Sequence, residues 1–456
     1  LKALVVNPPN KPFTEKALLI EPIDTLAIAT YVQHLGYDVK VLDMDRQKLA
    51  PEGIQKFLDE IEPDVTIIPF DYHIPLHTTD AVANVKKIST FANASGSLVI
   101  VGGKTPKFHP KQFLESGTDI VIRGEMEPVL QELLTGEFDQ KDLKKIMGIA
   151  FIDGKKVVDT GIPLPKEALD DYLIPDRSLL DMNEYIDVRS IWSSRGCYGI
   201  CTFCANPDFW DGWQANSAAR VVDEIEYLVK DFNAKKIMFL DDNALTETSR
   251  IKAICNGLIE RRIETTLGCL GTVNSYSDEL MELMAQAGFR WVHYGVESGS
   301  QTVLDTCQKG TSVPMIKRAI KGTKSHGLKV RASFIFDLPG TDLQALEETR
   351  ELILETQPEE IRAHYLALRV GSRLHGDFKC GELDSQYIHS DKPSFSLGSI
   401  GSRDVEHFAH ELANELSGQE YAVIKDPRRW QDLDSLPSGQ RFISFCPARY
   451  GLGWKR

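Results

Sequence analysis

Three cysteines stand close together in Cys197-Tyr198-Gly199-Ile200-Cys201-Thr202-Phe203-Cys204, a C-x3-C-x2-C spacing. Thiolates on one short loop can hold a soft metal ion or an iron–sulfur cluster. A structural zinc site normally takes four ligands, and no fourth Cys or His lies near the motif in the chain. A cubane held by three cysteines leaves one iron open to a small molecule that offers an amine and a carboxylate. Three structural thiols, or a zinc site with a remote fourth ligand, are the plainer readings of the same spacing. Cys255, Cys269, Cys307, Cys380 and Cys446 are scattered. Cys269, at a strand end, reads as a small buried hydrophobe. No secretory signal precedes them, so a disulfide framework is not expected and the clustered three point to metal or redox chemistry.

Such a loop needs a rigid frame, and the hydrophobic pattern around it supplies one. Strands are expected at 188–193, 235–240, 264–269, 290–296, 328–336 and 361–367. Helical spacing separates them at 218–232, 247–262, 276–287, 313–326 and 342–356. Six β/α repeats predict a partial (β/α)6 barrel over 188–370, with the cysteines just after its first strand, where barrel folds place their chemistry. Upstream, strands at 2–6, 38–43, 64–69, 97–101 and 119–122 alternate with helices and predict a doubly wound, Rossmann-like parallel sheet over 1–145. In the order 2-1-3-4-5, ligands bind outside strands 1 and 3. Residues 146–187 read as a linker with one Asp-Gly hairpin at 153–154. The tail, 371–456, has weaker periodicity and one helix at 404–417, and is expected to form a small α+β domain that shapes a substrate pocket. The overall class is α/β.

The formal charge is -14, from 52 Lys+Arg and 66 Asp+Glu. That balance argues against a bulk nucleic-acid partner, which needs a basic footprint. No apolar run is long enough to span a bilayer. A cytoplasmic location follows as the expectation. His407 and His410 share a helix face with no further ligand at metal spacing and read as a solvated face. Trp210 and Trp213, just beyond the cysteines, either cover the metal site and line a substrate cavity or are plain core.

The motifs after 188 resemble, in order, those of the radical S-adenosylmethionine (SAM) superfamily: the cysteine loop, Phe239-Leu240-Asp241-Asp242-Asn243, Tyr294-Gly295-Val296-Glu297-Ser298-Gly299-Ser300, and Phe334-Ile335-Phe336-Asp337-Leu338-Pro339-Gly340. The resemblance implies that Cys197, Cys201 and Cys204 hold a [4Fe-4S] cluster. It implies SAM contacts at Asp241, Asp242, Asn243, Glu297, Ser298, Arg331 and Pro339, with Arg331 and Ser298 as partners for the SAM carboxylate. The chain departs from the pattern at Asp241-Asp242, where paired glycines and Glu are common, at Asp337, where Gly is common, and at Val370-Gly371-Ser372. The first unit resembles the cobalamin-binding domain that precedes the barrel in cobalamin-dependent radical SAM proteins. The echoes are Asn7-Pro8-Pro9, Leu35-Gly36-Tyr37, Val101-Gly102-Gly103 and Gly124-Glu125-Met126-Glu127. Cobalamin contacts are thereby implied at Asn7, Pro8, Gly102, Gly103, Gly124 and Glu125, and at His73, in a loop that borders the corrin's lower face.

The resemblance implies a cobalamin-dependent radical SAM methyltransferase. It would move a methyl group from SAM via methylcobalamin to an unactivated carbon of a small-molecule or peptide substrate. An external electron donor of flavodoxin or ferredoxin type is implied as well. A non-methylating cyclisation or rearrangement with the same cofactors is the alternative.

Overall fold

The computed structural model describes residues 1–9, 19–70, 79–135, 142–163, 169–210, 212–366, 369, 371–377, 402–417, 421–424 and 441–446. They form two compact units. One is Leu1–Ile186 with Phe209–Asp211, and the other is Asp187–Asp208 with Gly212–Arg456.

The first unit is a seven-stranded sheet of order β2-β1-β3-β4-β5-β6-β7. Strands β1 (Lys2–Asn7), β2 (Asp38–Asp43), β3 (Val65–Pro69), β4 (Leu98–Gly102) and β5 (Ile120–Ile122) are parallel, as the sequence pattern predicts. Strands β6 (Ile149–Asp153) and β7 (Lys156–Asp159) come from the stretch read as linker; they pair antiparallel and extend the sheet beyond β5. Helices α1 (Ile23–His34), α2 (Ile54–Ile61), α3 (Thr79–Ala94), α4 (Lys104–Phe108), α5 (Pro110–Leu114) and α6 (Met126–Leu134) connect the strands.

Alternate residues of one strand face opposite sides of a sheet, and this sheet buries both. Ala3 and Val5 pack with Ile28, Val32 and Leu130 on the side of α1 and α6. Leu4 and Val6 pack with Leu58, Val85 and Ile88 on the side of α2 and α3. Continuous apolar strands such as Val65–Pro69 are the signature of such a doubly covered sheet. Gly36, at φ +94, follows α1 in a left-handed conformation that suits glycine after a helix end. Helix α7 (Asn206–Trp210) follows the cysteines, and its Phe209 and Trp210 are buried in the core of the first unit.

The second unit is built on an eight-stranded sheet of order β16-β17-β15-β14-β13-β12-β11-β8, all parallel. Six of these are the expected barrel strands: β8 (Arg189–Ile191), β11 (Lys236–Phe239), β12 (Thr266–Gly271), β13 (Phe289–Glu297), β14 (Lys329–Ile335) and β15 (Glu360–His364). The tail adds β16 (Tyr421–Ile424) and β17 (Arg441–Cys446), so its strands continue the barrel sheet. Between β8 and β11, β9 (Ser194–Gly196) and β10 (Trp213–Ala215) form a separate antiparallel ribbon.

Helices α8 (Ala218–Phe232), α9 (Thr248–Glu260), α10 (Asp278–Gln286), α11 (Gln301–Thr306), α12 (Val313–Ser325), α13 (Leu343–Thr356), α14 (Arg373–Asp377) and α15 (Ser402–Ser417) complete the unit. Several of these helices start at a capping Ser or Asp. Ser217 accepts from Arg220 N–H, Ser277 from Leu280 N–H and Asp342 from Ala345 N–H. His407 on α15 lies 3.3 Å from Glu411 on an exposed face. Among the described residues no helix is long and apolar enough to cross a membrane.

Gly299 shows how tightly the turn after β13 is fitted. A Cβ built there would lie 2.5 Å from both Glu348 O and Thr349 Cα, which are backbone atoms of α13 and cannot swing away. Gly299→Ala is therefore expected to lower stability by about 1–3 kcal/mol, the usual range for overpacking, read as a lower urea midpoint with an unchanged slope.

Candidate functional site

The cysteine loop starts where β9 ends. The ribbon pairs Gly196 with Trp213, Arg195 with Gln214 and Ser194 with Ala215, so the chain leaves and returns at one place. Asp241 and Asp242, directly after β11, secure that place. Asp241 is buried and accepts from Ser193 N–H at 2.7 Å and from the Ser194 hydroxyl at 2.8 Å, with the Ser193 hydroxyl as a third donor. Burial pushes its carboxyl above the usual range, opposed by the Arg250 guanidinium and the serine donors. Asp242 accepts from Gly196 N–H at 3.2 Å and from the Asn206 side-chain amide. It thus ties the residue before Cys197 to a residue just past Cys204. Asn243 Oδ1 accepts from Leu245 N–H at 3.3 Å and shapes the turn into α9.

Inside the loop, Thr202 N–H donates to Cys307 O at 3.0 Å, and Leu374 N–H donates to Thr202 O at 2.8 Å. Gly199 N–H points at Cys197 Sγ at 3.2 Å. A Cβ on Gly199 would lie 3.3 Å from Cys197 Sγ and 3.7 Å from Cys201 Sγ, so both sulfurs crowd around this one glycine. All three thiols are free and half-buried. Burial pushes Cys201 up, and pushes Cys204 up to about 11. Tyr198 and Ile200 on the same loop are exposed, and the Tyr198 ring stands 5.6 Å from that of Trp213.

At the far end of β13 the backbone turns sharply. The β13–β14 register shifts between Gly295 and Glu297, and Glu297 has φ +71. A left-handed non-glycine residue carries strain and marks positions held by their surroundings. What holds Glu297 is Lys309, whose Nζ lies 2.8 Å from Glu297 Oε1. Burial works against the charge of Lys309, but Glu297 and the nearby Cys201 and Cys204 keep its pKa above the ordinary value. A Cβ on Gly295 would lie 2.5 Å from Glu297 Oε1 and 3.1 Å from Lys309 Nζ, so glycine there makes room for the pair. Next to it, Ser298 Oγ accepts from Ser300 N–H at 3.1 Å and lies 3.3 Å from Thr349 Oγ1. Pro339 O is 3.9 Å from Cys307 Sγ.

The face of β13–β15 away from the helices is polar. Val292, Tyr294, Val330, Ala332, Phe334 and Ile361 belong to the core shared with the helices; the residues between them point the other way. Arg331 is one of these. It is buried, its Nε donates to Glu360 Oε2 at 2.5 Å, and its guanidinium lies 4.7 Å from the Trp291 ring centre. Glu360 also accepts from Arg362 Nε at 2.8 Å. Burial disfavours the charged carboxylate, yet the two arginines hold Glu360 below the usual range. Arg331, expected beside a SAM carboxylate, is thus engaged with Glu360. The cation at the strand end is Lys309, which sequence reasoning missed; the Lys309-Gly310 pair after α11 is its only signal.

In the first unit, Asn7 Nδ2 donates to Asp43 Oδ1 at 2.8 Å, and Asp43 also accepts from the Tyr185 hydroxyl at 2.8 Å. Burial raises the Asp43 carboxyl despite these donors. Pro8 is buried beside Asn7. Gly103 has φ +132. A Cβ on Gly102 would lie 2.7 Å from Met126 Sδ, and one on Gly124 would lie 2.8 Å from Pro163 Cγ, so both glycines have a packing reason. Glu125 accepts from the Tyr172 hydroxyl at 2.8 Å. His73 lies outside the described residues.

The chain has a doubly wound domain followed by a parallel sheet with a three-cysteine loop behind its first strand, and a known domain family matches each part. The B12 binding domain family matches residues 15–134, and the Radical SAM superfamily matches residues 193–353. The chain thus carries a B12 binding domain followed by a Radical SAM domain. It is 26% identical over 361 residues to an uncharacterized methyltransferase, PH0819, of Pyrococcus horikoshii, covering 76% of this chain and 77% of that one. It is 28% identical over 354 residues to the anaerobic magnesium-protoporphyrin IX monomethyl ester cyclase of Rubrivivax gelatinosus, covering 73% of this chain and 61% of the relative. Among solved structures, the radical SAM methyltransferase TsrM of Kitasatospora setae, with cobalamin and a [4Fe-4S] cluster bound, superposes with a TM-score of 0.71. It shares 18% identity and covers 84% of this chain and 75% of that one. At that identity the likeness speaks to the fold.

If Asp242 ties the two ends of the cysteine loop, Asp242→Ala is expected to lower stability by about 1–3 kcal/mol, the cost of lost hydrogen bonds to a charged group. The same variant should take up less iron than wild type on anaerobic reconstitution, measured as iron per chain.

Proposed function

We propose that the protein is a cobalamin-dependent radical SAM methyltransferase that carries a methyl group from SAM, by way of cobalamin, to an unactivated carbon of a small-molecule or peptide substrate. The observation that carries this reading is the pinned cysteine loop beside the Lys309–Glu297 pair, downstream of a B12 binding domain. The donor set fits an iron–sulfur cluster: three free, half-buried thiols on one loop, two of them around Gly199. When bound, the cluster with SAM supplies one-electron bond cleavage, and cobalamin supplies methyl transfer.

The chain's residues do the rest. Cys197, Cys201 and Cys204 would bind iron as thiolates, so loading displaces thiol protons, against the burial that raises Cys201 and Cys204, and is favoured by higher pH. Asp241 and Asp242 hold the loop in place. Lys309 and Glu297 offer an ammonium and a carboxylate side by side, complementary to the carboxylate and amine of an amino acid such as the methionine end of SAM. Ser298 and Pro339 line the same strand ends, and Asn243 shapes the adjoining turn. In the first unit, Asn7, Pro8, Gly102, Gly103, Gly124 and Glu125 lie at or beside the strand ends of a doubly wound sheet, where such sheets bind ligands; we assign them, with His73, to cobalamin. An external one-electron donor of flavodoxin or ferredoxin type completes the cycle.

The test is anaerobic reconstitution with iron, sulfide and cobalamin, then dithionite and SAM, with product analysis by mass spectrometry. Methyl transfer by this route yields both 5′-deoxyadenosine and S-adenosylhomocysteine. The likeness to a named cyclase supports a second reading, a non-methylating cyclisation or rearrangement, which yields 5′-deoxyadenosine without S-adenosylhomocysteine. Cys201→Ala is expected to abolish 5′-deoxyadenosine formation and to lower bound iron; a variant that keeps both would defeat either reading. Lys309→Met is expected to weaken SAM binding about tenfold or more, in line with a charge-assisted hydrogen bond, measured by equilibrium dialysis with radiolabelled SAM.

A further inference from the structure

In a packed parallel barrel the strand positions facing away from the helices are filled mainly by branched apolar side chains. On β13–β15 these positions include His293, Arg331, Ser333, Glu360, Arg362 and His364 beside the large ring of Trp291. Buried charges add little to stability over apolar residues of the same volume, so packing alone does not account for this set.

His293 is the informative member. It is 9% exposed, and its Nε2 lies 2.6 Å from Ser333 Oγ. Its Nδ1 is buried and has no hydrogen-bond partner among the described residues. A buried polar atom left unpaired is destabilising, a cost that disappears when a ligand supplies the partner. The Glu297 backbone lies four residues further along β13, roughly 13 Å at the usual strand rise, while the Lys309 ammonium is near enough to act on the imidazole.

The surroundings say what kind of ligand fits. Three cations, Lys309, Arg331 and Arg362, stand on or beside this face against two carboxylates, Glu297 and Glu360. Burial and then Arg331, Arg362, His364 and Lys309 all push the imidazole of His293 down, so it is neutral. A neutral ring carries one N–H. The 2.6 Å contact fits either tautomer; we assign the Ser333 hydroxyl as the donor to Nε2, which puts the ring N–H on Nδ1 as a donor facing a positive field.

We infer that the helix-free face of β13–β15 is an oxyanion site for the substrate, in which His293 Nδ1, oriented by Ser333, donates to a carboxylate or phosphate oxygen. This rests on the reading of the second unit as the catalytic one and adds to it the class of group the substrate carries.

The experiment is calorimetric titration of the reconstituted protein with inorganic phosphate and, separately, with succinate. At least one is expected to saturate a single site. Phosphate alone points to a phosphorylated substrate, succinate alone to a carboxylic acid, and both to a general oxyanion pocket; each supports the inference. His293→Ala is expected to weaken the binding at least tenfold, Ser333→Ala severalfold, and His293→Gln, which keeps a donor, less than His293→Ala. If His293→Ala fails to fold by circular dichroism, Ser333→Ala decides. The inference is overturned if neither anion saturates a site, or if the variants bind as wild type does. It is overturned too if Lys309→Met, and not His293→Ala, removes the binding, since the anion then sits at the strand ends. Release of 5′-deoxyadenosine by the wild type in the same preparation tests the radical chemistry separately: its presence without anion binding defeats this inference alone.

Discussion

Two consecutive carboxylates after one strand hold the base of the cysteine loop in the second unit. Asp241 takes three donors from Ser193 and Ser194, and Asp242 joins Gly196 to Asn206. A short loop of thiols has little core of its own, so its position must be imposed from its base. Charge-assisted hydrogen bonds in a buried setting do this well, because they are short, directional and shielded from competing water. The Arg250 guanidinium below, on Ser193 O and on Asn216 O at 2.6 Å, continues the same arrangement into the helical layer. These aspartates are the places where the chain departs from the Gly-Gly-Glu pattern common in the family it resembles. The departure has a structural meaning: side chains take over the work of fastening the loop.

What could be read from the chain, and what could not, follows from the range of the forces involved. Strands such as Val65–Pro69 and helices such as Ala218–Phe232 announce themselves through local periodicity, and their expected bounds agree with the observed ones within a few residues. The cysteine loop was legible because its spacing is local too. Lys309 was not, since its partner Glu297 is twelve residues away across a helix and only the fold joins them. The three-residue strands Ser194–Gly196 and Trp213–Ala215 are too short for a periodic signal. Gly102 and Gly124, implied as cobalamin contacts, also have close neighbours in Met126 and Pro163. A glycine's reason for being glycine lies in a neighbour that sequence does not name. The hairpin around Asp153-Gly154 was visible, whereas its docking onto β5 depended on a sheet edge that no local pattern records.

The sheet of the second unit divides its labour by face. One side is continuous hydrocarbon from Ile191 to Ile443, shared with the helices, and carries the stability. The other side is polar along β13–β15, with two guanidiniums on one carboxylate and an imidazole on a hydroxyl. Because successive side chains alternate, both duties are met by the same nine residues of β13. Tyr294 lies in the core while its neighbours His293 and Gly295 belong to the polar side. A one-residue slip in register would exchange the two faces entirely, so the packing of the hydrocarbon side also aligns the polar one.

The last two strands are laid down out of sequence. β17 lies against β15, and β16, although it is made earlier, has β17 as its only neighbour in the sheet among the described residues. During synthesis from the N-terminus, β16 therefore has nowhere to dock until residues 441–446 have left the ribosome. Until then β15 presents an unpaired edge, the kind of surface that recruits other chains. A chain interrupted just before residue 441 would lack β17 and leave β16 unpaired, and nascent polypeptide at that point is where chaperone capture would matter most.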